Sequence, residues 1–120
     1  MIKSTWLDEL FISIDKMDTT KFVSFITDDG VLTFANAPAM KGKDEIFQGI
    51  EGFFKSIKEL KHFNLEVFDI GENIVTRGDV FYRRHDDTTL TVGFCNVFKM
   101  KNGLIEDYRI YSDISQLYNQ

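Results

Sequence analysis

The sequence predicts an α+β fold in which three N-terminal helices pack on a curved, antiparallel or mixed β-sheet and enclose a hollow. Two observations carry this expectation. Apolar residues recur at helical spacing through the first half of the chain and at a period of two from His62 onward. The turns of the second half, Gly71-Glu72-Asn73, His85-Asp86-Asp87 and Lys101-Asn102-Gly103, are too short for crossovers and imply an antiparallel meander. With 120 residues, one Pro, no repeat and no low-complexity stretch, residues 1–120 read as one domain.

Each element has its own local cause. Trp6, Leu7, Leu10, Phe11, Ile14 and Met17 form one apolar stripe, the mark of an amphipathic helix. Asp18 or Thr19 caps a short second helix carrying Phe22, Val23, Phe25 and Ile26, and Thr27-Asp28-Asp29-Gly30 then reads as a turn. Val31 to Asn36 reads as a strand that Ala37-Pro38 ends. After Gly42, a third helix presents Ile46, Phe47, Ile50, Phe53, Phe54 and Ile57, with Asp44 and Glu45 favoured at its positive end and Lys55 and Lys58 at its negative end. Strands follow near Phe63–Ile70, Asn73–Arg84, Thr89–Met100 and Leu104–Asp113.

Composition narrows the function. Twelve Phe supply more apolar area than a minimal core requires and suit a core that also walls an apolar pocket. The net charge is −5 and the Lys and Arg residues are scattered, which argues against a nucleic-acid or anionic-membrane partner. Cys95 has no partner for an intramolecular disulfide, in keeping with the cytoplasm, and its apolar setting reads as burial rather than as a nucleophile. No apolar run approaches the length of a membrane span. His62 and His85 fall at a strand entry and in a turn; both read as solvated, and no metal or other cofactor is expected.

Strand alternation assembles the candidate site. Leu32, Phe34 and Asn36 share one face, as do Val75, Arg77, Asp79 and Phe81. Phe94, Asn96 and Phe98 share a third face, and Tyr108, Ile110 and Ser112 a fourth. Charges are rarely buried unpaired, so the Arg77–Asp79 pair among apolar neighbours reads as a charge pair inside the hollow, with a structural ion pair as the even alternative. The expected catalytic residues are Asp79 as acid or base, Arg77 orienting it, and Asn36. The expected ligand-binding residues are Phe34, Asn96, Tyr108, Phe54, Phe81, Phe94, Ile110 and Trp6.

The helical half, Thr27-Asp28-Asp29-Gly30, Met40-Lys41-Gly42-Lys43-Asp44-Glu45-Ile46 and the ending Tyr108-Arg109-Ile110-Tyr111-Ser112-Asp113 resemble the nuclear transport factor 2-like superfamily, and within it the SnoaL-like group. The resemblance implies a cone-shaped fold. Its members include limonene-1,2-epoxide hydrolase, ketosteroid isomerase, polyketide cyclases and non-catalytic binding domains. Arg77-Gly78-Asp79 is similar to the epoxide hydrolase's Arg-x-Asp, and Asn36 keeps its Asn. Phe34 replaces its Tyr, and Ile110 replaces the second Asp that helps activate water. Measured against ketosteroid isomerase, Asn36 and Asn96 stand where carboxylates belong and Leu10 where a Tyr belongs.

Three functions follow as expectations. The first is acid–base chemistry on a small apolar metabolite, of isomerase, cyclase or epoxide-hydrolase type; the lost carboxylates weigh against limonene-type hydrolysis and steroid isomerisation. The second is ligand binding in the same hollow without catalysis. The third is an assembly role, as a homodimer joined through the sheet face.

Overall fold

The apolar stripe from Trp6 onward folds as α1 (Thr5–Asp15), because only a helix turns those residues to one side. The computed structural model describes residues 5–118; the two ends of the expected domain lie outside that range. Asp18 caps α2 (Thr19–Val23), its side chain accepting from the Lys21 N–H. The longest helix is α3 (Lys43–Lys55), which buries Ile46, Ile50 and Phe54.

Six strands form one mixed sheet: β1 (Ile26–Phe34), β2 (Met40–Lys41), β3 (Glu59–Ile70), β4 (Asn73–Arg83), β5 (Thr89–Lys101) and β6 (Leu104–Tyr111). Their order is β2-β1-β6-β5-β4-β3. From β3 to β6 the sheet is the expected antiparallel meander, while β1 adds to β6 in parallel. The helices cover one sheet face. Leu10, Phe22, Ile26, Leu32, Ile46, Phe98 and Ile105 are fully buried at that contact.

Two local expectations are corrected. Thr27-Asp28-Asp29-Gly30 is not a turn between helix and strand; it lies inside β1, where the pairing with β6 shifts between Ile26 and Val31. The shift needs a residue without a side chain, since a Cβ on Gly30 would lie 2.3 Å from Ile26 Cγ2. The helical pattern through Phe25 and Ile26 stops at Val23, and Ile26 opens β1 as a fully buried strand residue.

The irregularity that bends the sheet lies between β3 and β4. Their register shifts between Phe63 and Glu66, and Asn64 takes the left-handed conformation at φ 56°. Gly78 lies under the shifted segment, where a Cβ would stand 2.8 Å from the Phe63 carbonyl oxygen and 3.1 Å from that of Asn64. Beyond the shift β3 loses its cover and leaves Leu65, Phe68 and Ile70 exposed. Gly78→Ala is therefore expected to cost about 1–3 kcal/mol by overpacking backbone against backbone. Thermal unfolding checks this: the Tm should fall by roughly 4 °C per kcal/mol. An unchanged Tm would mean that the two strands separate at no cost.

Candidate functional site

The hollow between helices and sheet is walled mainly by apolar side chains. Ile14, Phe22, Phe53 and Phe54 come from the helices, and Phe34, Leu60, Val80, Phe94 and Ile110 from the strands. His62, Tyr82, Asn96, Tyr108 and Ser112 are its polar members. The space among these side chains, open solvent at its mouth included, is about 480 Å³, and the centre of a water molecule can move through about 40 Å³ of it. A shallow outer recess, lined in part by Asn36, Ile114 and Tyr118, shares Phe34 and Ser112 with the cavity. Phe34 stands between recess and interior and meets Phe53 of the cavity wall edge to face, with ring centroids 4.9 Å apart. Arg84 ties down the segment between the lining residues Ser115 and Tyr118 by donating to the carbonyls of Gln116 and Leu117.

Strand β4 presents the opposite face from the one expected. Ile74, Thr76, Val80 and Tyr82 point inward, which turns Arg77, Asp79 and Phe81 to the outer face. There Arg77 Nε pairs with Glu66 Oε1 at 2.7 Å, with most of both side chains in solvent. Asp79 Oδ2 accepts from Asn64 Nδ2 at 3.0 Å and so braces the β3 irregularity, while Phe81 lies under the Arg83 guanidinium. The Arg77–Asp79 pair is thus no part of the cavity. The cause is the alternation itself: the even positions Ile74, Thr76, Val80 and Tyr82 form an equally apolar set, and pairing with β5 places Thr76 opposite Asn96 and Ile74 opposite Phe98 on the inner face.

The other expected residues divide. Phe34, Phe54, Phe94, Asn96, Tyr108 and Ile110 all line the cavity. Asn36 sits in the turn after β1, exposed, and reaches only the outer recess. Trp6 packs edge to face on Phe98 in the core, away from the cavity lining. Cys95 is half-buried on the outer face, and His85 is exposed, its Nε2 on the Lys55 carbonyl at 2.9 Å.

Asn96 is the most telling of these. It is 2% exposed, and its Oδ1 has no hydrogen-bond partner. An unsatisfied buried acceptor costs about 1–3 kcal/mol, so Oδ1 is open to any donor that reaches it; Thr76 Oγ1, opposite it on β4, and Asp107 Oδ1 are unpartnered too. Burial raises the phenol of Tyr108 above its ordinary range and does the same to Tyr82. Both therefore stay neutral and can donate.

His62, expected in solvent, is instead a wall of the cavity. It pairs with Asp15 at the end of α1, Nδ1 to Oδ1 at 2.7 Å, and the two side chains are 10% and 26% exposed. Both Asp15 oxygens also accept from the His62 N–H at 3.2 Å. The imidazole packs on Phe11 and Phe94, with ring centroids at 4.9 and 5.2 Å. A faint signal was present in the sequence: His62 alternates with the apolar Leu60 in β3, and Asp15 follows Ile14 on the buried helix stripe. Nothing local links two residues 47 positions apart.

Helices on one face of a bent mixed sheet, with an aromatic hollow between them, define a nuclear transport factor 2-like cone. The family model for the SnoaL-like domain matches residues 7–108, and the chain belongs to that family. Solved structures agree on the fold. A nuclear transport factor 2-like protein of unknown function from Burkholderia pseudomallei superposes with a TM-score of 0.84 at 19% identity, over 92% of this chain and 90% of its own. A provisionally assigned polyketide cyclase from Pseudomonas putida gives 0.86 at 13% identity, covering 100% and 98%. TerC, crystallised with polyporic acid, gives 0.83 at 13%, covering 93% and 92%. No curated protein matches the sequence. Among the described residues, no helix is long and apolar enough to cross a membrane.

The two buried phenols have a pH signature. Their ordinary value is 10.0, and the folded chain holds both protons above it while the unfolded chain releases them. Stability is then intact below pH 10 and falls as pH rises beyond it, by up to about 1.4 kcal/mol per pH unit for each phenol. Urea unfolding from about pH 9 to about pH 12 should show the decline, and Tyr108→Phe should flatten it. A slope unaffected by that substitution would mean that Tyr108 ionises freely in the folded chain.

Proposed function

We propose that the protein binds a small, planar, largely apolar metabolite that carries a hydroxyl group, with the ring among Phe53, Phe54 and Phe94 and the hydroxyl against Asn96. The unpartnered Asn96 Oδ1 carries this reading. A bound hydroxyl would donate to it, and the neutral Tyr108 hydroxyl supplies a further polar contact on the same wall. Entry passes through the outer recess and requires the Phe34 and Phe53 rings to turn, because the interior as it stands has room only for small solvent. TerC, similar in fold, was co-crystallised with polyporic acid, which is in keeping with an organic ligand for this chain. The unpaired Cys95 supports a reducing, cytoplasmic setting.

A second reading concerns assembly, and the outer sheet face favours a second copy of this chain as partner. Phe68, Val75, Val97 and Tyr111 lie there among Glu66, Arg77, Asp107 and Arg109. Both charge signs on one apolar face suit self-pairing about a two-fold axis better than a partner of one sign. Sedimentation of the wild type at micromolar concentration should give a dimer that Phe68→Glu dissociates; a monomeric wild type overturns this second reading.

The binding reading is checked by thermal shift with hydroxynaphthoquinones and naphthols. A ligand at a hundred times its Kd adds about 2.7 kcal/mol. Asn96→Leu, which keeps the branched outline and removes the unpaired oxygen, should reduce the ligand response. No shift in the wild type, or the same shift in both proteins, would overturn it.

A further inference from the structure

Holding a hydroxylated ring requires Asn96 and the aromatic walls but gives no role to the Asp15–His62 pair in the same cavity. A carboxylate can only accept, so at 2.7 Å from Asp15 Oδ1 the Nδ1 of His62 carries the ring proton. In the neutral imidazole Nε2 then presents its lone pair, and among the described residues no hydrogen bond is made to it. The ring cannot swing away, because Phe11 and Phe94 pack on it and Asp15 holds both its Nδ1 and its backbone N–H. A purely structural tie between α1 and β3 is complete with the Asp15 contact to the His62 backbone. It does not call for an imidazole on the cavity wall whose second nitrogen is unused.

We propose that His62 is a general base acting on the molecule bound in this cavity, with Asp15 as the positioning residue that fixes its tautomer and orientation. This inference rests on the binding reading, since a base needs a substrate held beside it. Nε2 takes a proton from a weakly acidic C–H of the bound compound. The electron pair left behind moves into the substrate's own π-system or leaving bond, and the neutral Tyr108 hydroxyl can stabilise a developing oxyanion. The imidazolium formed is balanced by Asp15 and returns its proton to product or solvent. The class of substrate is therefore a planar compound with an activated C–H, of a size that Phe34 and Phe53 admit.

Nitrobenzisoxazole tests the base directly. It is planar and aromatic, and removal of its ring C–H proton converts that electron pair into a nitrile as the N–O bond breaks. The product is a coloured cyanonitrophenolate, and no co-reactant is needed. Binding of the probe is read by thermal shift, and its turnover by absorbance. The wild type should turn it over, and His62→Gln should bind it yet lose about 100-fold or more in kcat. Added imidazole should restore rate to His62→Ala, and Asp15→Asn should lower kcat with little change in KM. The rescue and the kcat–KM split are readouts that loss of a structural tie would not produce, which covers the case of a destabilised variant. Probe binding without turnover, or turnover unchanged in His62→Gln, overturns the assignment of the base and leaves the binding reading standing. A wild type that binds neither this probe nor the hydroxylated rings overturns both.

Discussion

The inward alternation of β4 is the constraint on which the cavity's chemistry depends. With Thr76 opposite Asn96 and Ile74 opposite Phe98, the even residues of β4 join the even residues of β5 on the concave face. The odd residues, Arg77 and Asp79 among them, then belong to the other side. A slip of one position would exchange the two sets entirely. Gly78 fixes the choice from the β3 side, because β3 crosses it so closely that no other residue fits without displacement of backbone. The sharing of polar groups between cavity and outer face therefore follows from backbone packing rather than from the charges themselves.

The same bend divides β3 into two halves with different tasks. Leu60 and His62, before the shift, close the cavity; Phe68 and Ile70, after it, are exposed on a strand at the sheet edge. Asp79 contributes to this division by accepting from Asn64, the residue at which β3 changes course. A side chain of catalytic appearance thus holds the backbone geometry that brings His62 to the cavity wall.

Few polar groups enter the hollow, and each is held differently. His62 is fixed by Asp15, the phenols of Tyr82 and Tyr108 are kept neutral by burial, and Asn96 is left with an unpaired oxygen. In an apolar surrounding an unpaired acceptor is costly and a clamped imidazole is well defined. Affinity for a polar group and the positioning of a base therefore come from separate residues on one continuous surface. The aromatic walls contribute burial area without competing for either.

By itself the sequence determined the fold class, because mostly helical spacing in the first half gives way to period-two spacing from His62 onward, which calls for helices packed on a sheet. It also determined part of the cavity lining: Phe34, Phe54, Phe94, Asn96, Tyr108 and Ile110 lie on strands and a helix whose inward face the spacing gave correctly. On β4 both faces carry apolar residues, so alternation alone allowed either parity, and the Arg-Gly-Asp spacing favoured the wrong one. Only the tertiary structure decided that parity, through the pairing with β5 and the close approach of β3 to Gly78. It alone brought Asp15 to His62 as well, since their contact joins the end of one helix to a strand distant in sequence, and local spacing carries no information about such a meeting.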